Sequence, residues 1–271
     1  MTISQIVKQK RNFGWLPDRP DARDQRYELV RMPMEVAALP AKVDLRNQFP
    51  APCYDQGDLG SCVSNAIAAK MQFLRLRQKL PTFMPSRLYI YYNARWVDGN
   101  VNEDAGTYIR TGIKVIAKAG FAHESIWKYD IKKFAIQPPV AAYEDARLYY
   151  PIKYFRLDNT NLNSLKNCLA AGYPIVFGFT MYDSFWEADT NGGIVPMPRN
   201  NEADIGGHCV LIIGYDDTKE QFIIRNSFGT KVGDKGHYYM PYEYLTNKDL
   251  AEDFWTVRLV SSEYTDKPLA W

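Results

Sequence analysis

The stretch YDQGDLGSCVSNAIAAK, residues 54–70, places a glutamine six residues before a cysteine, Cys62, and sets that cysteine where a helix begins. A thiol at a helix N-terminus faces unpaired backbone N–H groups and the positive end of the helix dipole, and both favour its thiolate. With a base beside it, such a sulfur is a nucleophile. Gln56, in the turn before the helix, can offer a side-chain N–H to an oxyanion forming next to that sulfur. The base and its partner lie far along the chain. GHCVLIIGYDDTKEQFIIRNSFG reads as two strands joined at YDDTK, a turn signal built on two aspartates. A hairpin folded about Asp217 sets His208 and Asn226 equidistant from the turn, where directly paired side chains reach one another. An amide holding one ring nitrogen fixes the tautomer and aim of an imidazole, the role of the third member of a nucleophilic triad.

Singly, each residue has a plainer reading. A cysteine opening a helix is usually a small buried hydrophobe, a strand histidine is usually hydrogen-bonded structure, and an asparagine there can be a turn former. The chemical reading rests on the group: a glutamine, a cysteine six residues on, and a distant histidine–asparagine pair on one hairpin.

The surrounding elements must hold these side chains. Val63, Ala66, Ile67, Met71 and Leu74 recur at three- and four-residue steps after Cys62, which predicts a helix. Ala66, Ala68 and Ala69 let neighbours approach closely, which suits a central position. PSRLYIYYNARW and GTYIRTGIKVIAKAG, closed by Gly120, predict two more helices. After about residue 150 the texture turns to strand in PIKYFRL, YPIVFGFTMY, HCVLIIGYDD and QFIIRNS, with one helix at NSLKNCLAAG. Helices first and strands later predict an α+β fold of two lobes. No internal repeat or low-complexity tract interrupts it.

Composition narrows the function classes. A chain of 271 residues with 46% hydrophobic and 14% aromatic residues has material for a real core. The net charge of +2, with both signs interspersed, argues against nucleic acid as a partner, which needs a concentrated basic surface. No apolar run approaches the length of a membrane helix, so no membrane role is expected. MTISQIVKQKRNFGW lacks the apolar core and cleavage site of a signal peptide. The four scattered cysteines, Cys53, Cys62, Cys168 and Cys209, match neither a zinc site nor a disulfide framework. The expected location is a reducing compartment: the cytoplasm, or outside it by a route that needs no such signal. Neither HExxH nor a phosphate-cradling glycine loop occurs, so no metal or other cofactor is expected.

Three blocks, VDLRNQFPAPCYDQGDLGSC, GGHCVLIIGYDD and RNSFGTKVGDKGHYYMPYEY, resemble the signature blocks of papain-like cysteine peptidases. EDAGTYIRTGIKVIAKAGFAHESIWKYD and LAAGYPIVFGFTMYDSFW resemble the bacterial-type branch of that family. The similarity runs from about residue 39 to the C-terminus, and Cys62, His208 and Asn226 follow in the family order: the 146 residues from Cys62 to His208 lie within the family's roughly 130–150, and the 164 to Asn226 slightly beyond. The resemblance implies a helical N-terminal lobe, residues 39–150, and an antiparallel β-barrel-like C-terminal lobe, residues 151–271, with the active site between them. It implies Cys62 as nucleophile, His208 as general acid/base, Asn226 as the residue orienting that ring, and Gln56 with the Cys62 backbone N–H as oxyanion donors. Gly106 and Thr107 match the wall that pairs with an extended substrate backbone. Gly207 would border the pocket for the second residue on the acyl side of the cut bond.

Departures from the family pattern are specific. Val63 and Phe228 stand where tryptophans are customary, Val232 replaces another aromatic, and Leu59 replaces a cysteine usually in a disulfide. Phe228 can still shield the histidine–asparagine hydrogen bond from water. Cys209 should point away from the site and pack. Residues 1–38 lack the helical pattern of the family's long pro-segment, and they read either as a surface arm or as a pro-segment covering the cleft. The implied activity is endopeptidase hydrolysis of peptide or protein substrates through a Cys62 thioester, by a monomer. Acyl transfer through the same thioester, and a peptide-binding module whose catalysis has lapsed, are the alternatives.

Overall fold

The structure is a computed structural model that describes residues 11–29, 38–50 and 52–260. Two short strands, β1 (Trp15–Leu16) and β2 (Lys42–Asp44), precede helix α1 (Cys62–Arg77). Helix α2 (Arg87–Asp98), strand β3 (Thr107–Tyr108), helix α3 (Ile109–Ala119) and helix α4 (Val140–Ala146) complete the first half. The second half runs β4 (Pro151–Leu157), α5 (Leu162–Ala170), β5 (Ile175–Tyr182), β6 (Asp204–Asp216), β7 (Gln221–Arg225), β8 (His237–Pro241), α6 (Tyr242–Thr246) and β9 (Ala251–Val260).

The helical half and the strand-rich half fall where the periodicities put them. Helix α1 is buried from Cys62 through Arg75, as expected of a central helix. Close approach to α1 rests here on a small residue of its neighbour: a Cβ on Gly112 of α3 would stand 2.6 Å from Ile67 Cδ1. The strands form one antiparallel sheet in the order β4-β9-β5-β6-β7-β8, with β2 added against β6. No pairing joins β4 to β8 among the described residues, so the sheet is open rather than a closed barrel.

Alternation along β6 divides the two cores. Cys209, Leu211 and Ile213 join α1 and the other helices in one buried cluster. Val210, Ile212 and Tyr215 join α5 and the aromatics of β5 and β9 in the other. Cys209 therefore packs toward α1, on the opposite face from His208, as its position in the strand requires. All four cysteines are buried and unpaired. Among the described residues no helix is long and apolar enough to cross a membrane.

Candidate active site

Cys62 is the first residue of α1, and Gln56 lies in the preceding loop. That loop is zipped to the segment after β7. Gln56 N–H donates to the Ser227 carbonyl at 2.9 Å, Gly229 N–H donates to Tyr54 at 2.8 Å, and Asp55 bridges Phe228. The glutamine and the asparagine are thereby brought together from opposite halves of the sequence.

His208 Nε2 and Asn226 Oδ1 are 2.8 Å apart. The same oxygen accepts the Ser227 backbone N–H at 2.7 Å, which identifies it as the carbonyl end of the amide. Nε2 therefore carries the ring proton, and Nδ1, which has no hydrogen-bond partner, holds a lone pair. That is the state a general base needs.

The pair forms without the symmetric register expected of the hairpin. Leu211 pairs Arg225 and Ile212 pairs Ile224, and beyond the irregularity between Ile212 and Gly214 the register shifts again, with Asp216 opposite Gln221. Extending the Leu211–Arg225 alignment sets Asn226 beside Val210, two residues from His208 on the same face. Such diagonal neighbours are within reach of long side chains.

Residues 11–18 occupy the groove along which these groups lie. Arg11 donates to Asp55 Oδ1 at 2.6 Å and to the Gly57 carbonyl at 2.9 Å, with its guanidinium 4.9 Å from the Phe228 ring centre. Gln56 Nε2 donates to the Asn12 carbonyl at 3.2 Å. The Phe13 ring meets the His208 ring edge-on at 5.8 Å. The Gly14 backbone N–H points to the Cys62 sulfur. Three consecutive strap residues thus touch Gln56, His208 and Cys62 in turn, so the three belong to one groove.

Gly106 and Thr107, the expected substrate wall, pair with this strap. Thr107 N–H donates to the Gly14 carbonyl at 2.8 Å, and β1 runs parallel to β3. The fit depends on glycine at close approaches: a Cβ on Gly14 would stand 1.7 Å from the Gly60 carbonyl oxygen. One on Gly106, whose φ is +73°, would stand 2.2 Å from the Gly14 carbonyl oxygen. Gly207 lies against Trp15, whose carbonyl oxygen a Cβ there would meet at 2.5 Å.

The charge state differs from the thiolate expected at the helix terminus. Cys62, His208 and Gln56 have no exposed surface. Burial pushes the Cys62 thiol up to about 11, against the pull of the backbone amides around it. Burial also lowers His208 to about 4, opposed by the Asn226 hydrogen bond and assisted by the Arg11 charge. Under the strap both groups are neutral, because desolvation outweighs the helix terminus.

Several supporting residues had no signal in the sequence. Ser227 Oγ donates to Gln56 Oε1 at 2.6 Å and Gln56 Nε2 donates to the Leu59 carbonyl at 3.0 Å, which leaves its second N–H for the strap's Asn12 carbonyl. Phe228, in the place of the customary tryptophan, stacks on His208 with ring centres 4.7 Å apart, and Trp186 stacks on Phe228 at 5.7 Å. Leu59 is buried against Leu88 and Tyr91, so apolar contact stands where the family uses a disulfide. Val63 and Val232 are also buried. Behind the strap, Asp18 and Asp253 form a buried carboxylate pair. Trp255 Nε1 donates to Asp18 at 3.0 Å, and Arg156 donates to Asp253 Oδ1 at 2.7 Å. Arg110 pairs at 2.6 Å with Asp24, six residues beyond the end of the strap.

The family model for papain family cysteine proteases matches residues 39–254. An uncharacterized peptidase C1-like protein, L477, of Acanthamoeba polyphaga mimivirus is 41% identical over 273 residues, spanning 93% of this chain and 88% of its own. The crystal structure of xylellain, a cysteine protease from Xylella fastidiosa, superposes with a TM-score of 0.85 at 42% identity, covering 92% of this chain and 96% of that one. Procathepsin B S9 from Trypanosoma congolense shares the fold at a TM-score of 0.73 and 14% identity, covering 97% and 90%. With the groove, the histidine–asparagine pair and these likenesses in hand, the chain belongs to the papain family of cysteine proteases and is a cysteine endopeptidase.

Proposed function

We propose that Cys62 is the nucleophile of this peptidase, His208 its acid/base and Asn226 the residue that holds the ring, and that residues 11–18 keep the site latent. With the groove open, His208 Nδ1 takes the thiol proton and the sulfur attacks the peptide carbonyl carbon. The oxygen becomes an oxyanion held by Gln56 Nε2 and the Cys62 N–H. His208 then protonates the leaving amine, which departs and leaves a thioester. Water, deprotonated by His208, hydrolyses the thioester, and the thiol is restored as the acid leaves.

The observation that carries this reading is the carbonyl oxygen of Asn12 on Gln56 Nε2. A backbone carbonyl already sits on the donor assigned to the oxyanion. The strap's direction supports latency. It runs from Asp55 and Phe228 at Arg11 to Gly207 at Trp15. If Gly207 borders the acyl-side pocket, a substrate runs from Gly207 toward Phe228, so the strap lies backwards and presents no scissile bond in productive order.

In this reading residues 1–38 form an inhibitory extension, residues 39–150 carry the nucleophile, and residues 151–271 carry the histidine and asparagine. One chain supplies every group of the site, so a monomer suffices. Four unpaired cysteines favour a reducing compartment. The test is labelling by an epoxysuccinyl thiol-protease inhibitor of the full chain carrying Gly14→Ala, whose Cβ would meet the Gly60 carbonyl oxygen at 1.7 Å and so displaces residues 11–18, beside the same chain with Cys62→Ala added. Labelling that disappears in the variant supports the assignment, and equal labelling removes Cys62 from the nucleophile role.

A further inference from the structure

The pocket bordered by Gly207 is filled by the indole of Trp15, and the fit of that ring reads out the pocket's chemistry. A Cβ on Gly178 would lie 2.0 Å from Trp15 Cε2, and one on Gly207 would lie 2.8 Å from Trp15 Cε3. Neither glycine has a positive φ, so the absent side chains make room for a flat ring. At the far end Trp15 Nε1 donates to Asp253 Oδ2 at 3.2 Å. Asp253 is only 2% exposed, and its backbone is left-handed, with φ 57°.

The two oxygens of Asp253 have different owners. Oδ1 accepts from Arg156 at 2.7 Å, a bond within the enzyme body. Oδ2 accepts from Trp15 Nε1 and from the Asp18 N–H at 2.7 Å. Both of those donors belong to the strap. When it leaves, Oδ2 loses them together, and a buried acceptor left without a donor is costly. Phenylalanine or leucine from a substrate would cover this oxygen with hydrocarbon. Arginine or lysine would add a cation beside Arg156, which loses the strap acid Asp18 at the same moment.

We infer that Asp253 makes this a tryptophan-selective pocket: the peptidase prefers tryptophan, a flat ring with a neutral N–H at its tip, as the second residue on the acyl side of the cut bond. The inference rests on the peptidase reading above and adds to it the class of peptide cut. A site built to hydrogen-bond a substrate group discriminates against the analogue lacking it more strongly than a site that reads size alone.

The test uses the full chain carrying Gly14→Ala, whose Cβ would collide with the Gly60 carbonyl and so displaces the strap. Fluorogenic peptides differing only at the second acyl-side residue are compared by kcat/KM. Tryptophan is expected to exceed phenylalanine, leucine and arginine by ~10–100-fold, a discrimination of the kind a donor–acceptor pair supplies. Asp253→Gly, which suits the left-handed backbone, should reduce the tryptophan-to-phenylalanine ratio to within about threefold. Phenylalanine or leucine peptides cut as fast as the tryptophan peptide would overturn the inference. A second arm needs no turnover. In the otherwise native chain, Trp15→Phe keeps a ring but removes the N–H, and it should speed alkylation of Cys62 by about tenfold. Equal alkylation of Trp15→Phe and wild type would overturn the inference even if no peptide were cut, an outcome that would count separately against the peptidase reading.

Discussion

Gln56 is held by three side-chain bonds: its Oε1 accepts from Ser227 Oγ at 2.6 Å, and its Nε2 donates to the Leu59 carbonyl at 3.0 Å and to the Asn12 carbonyl of the strap at 3.2 Å. The serine aims the amide, and the strap takes the bond assigned to the reaction. With the strap displaced by Gly14→Ala, Gln56→Ala should lower kcat by ~10²–10³ with little change in KM, the size of effect seen when an oxyanion donor is removed. Ser227→Ala should lower kcat less, because the donor remains and only its aim is loosened. Steady-state kinetics on one fluorogenic peptide measures both. A rise in KM with constant kcat would place Gln56 in ground-state binding instead.

Strap docking can be broken at one atom. Gly14→Ala forces a methyl group against the Gly60 carbonyl, 1.7 Å away in the docked geometry, while leaving Cys62, His208 and Asn226 untouched. Cys62 alkylation and peptide turnover should both rise, by about tenfold for every 1.4 kcal/mol of docking energy lost. Unchanged turnover in the folded variant would return residues 11–18 to the role of a surface arm.

The thiol reports the same opening through its titration. In the closed chain, burial holds Cys62 up near 11 and His208 down near 4, so alkylation by a neutral haloacetamide should climb steadily through alkaline pH. In Gly14→Ala the helix terminus and a solvated imidazole act unopposed, and the alkylation midpoint should fall below the ordinary 9.0. Rate against pH for the two proteins decides it.

The acid pair behind the strap gives docking a pH dependence whose sign can be worked out. Burial first, and Asp253 second, push docked Asp18 up to about 7 from the ordinary 3.8, while Arg110 and the Trp255 N–H oppose the rise. Arg156 also faces this carboxylate, 3.9 Å away. Docking therefore takes up a proton: this contribution is full below 3.8, fades as pH rises, and is gone above 7. His208 acts the other way. Its docked value of about 4 against the ordinary 6.5 makes docking weaken as pH falls through that interval. The two offset one another between about pH 4 and 6.5, so docking should be nearly flat there and loosen from 6.5 to 7. Asp18→Asn keeps the acceptor and removes the proton uptake, so docking should then strengthen as pH rises from 4 to 6.5, up to tenfold per pH unit. Amide exchange of Thr107, whose N–H donates to the Gly14 carbonyl, corrected for its intrinsic pH dependence, reads this directly. A variant with the wild-type profile would refute the assignment.

Much of the architecture was legible because it follows short-range periodicity. The three- and four-residue spacing after Cys62 gives α1, and the alternation around His208 gives β6 with its two faces. His208 and Asn226 were found through a hairpin whose register was wrong by two to three residues. The prediction of contact survived because an even shift keeps side chains on the same face. The two-residue pairing of β1 with β3 has no periodicity to read, since two residues cannot alternate. Asp253 was equally silent. It lies in a strand, and its partners Trp15 and Asp18 come from the opposite end of the chain. The thiolate expected at Cys62 is absent under the strap for a related reason: a helix terminus is visible in sequence, but desolvation depends on what covers it.

Trp15 and Asp253 are separated by 238 positions, and this separation orders events during synthesis. The segment that fills the cleft leaves the ribosome well before the strand that receives its indole. The cleft is thus completed only when its own occupant is already present and tethered, at the high effective concentration that tethering confers. Under the proposed latency, each new molecule therefore finishes its cleft beside an occupant carried on the same chain.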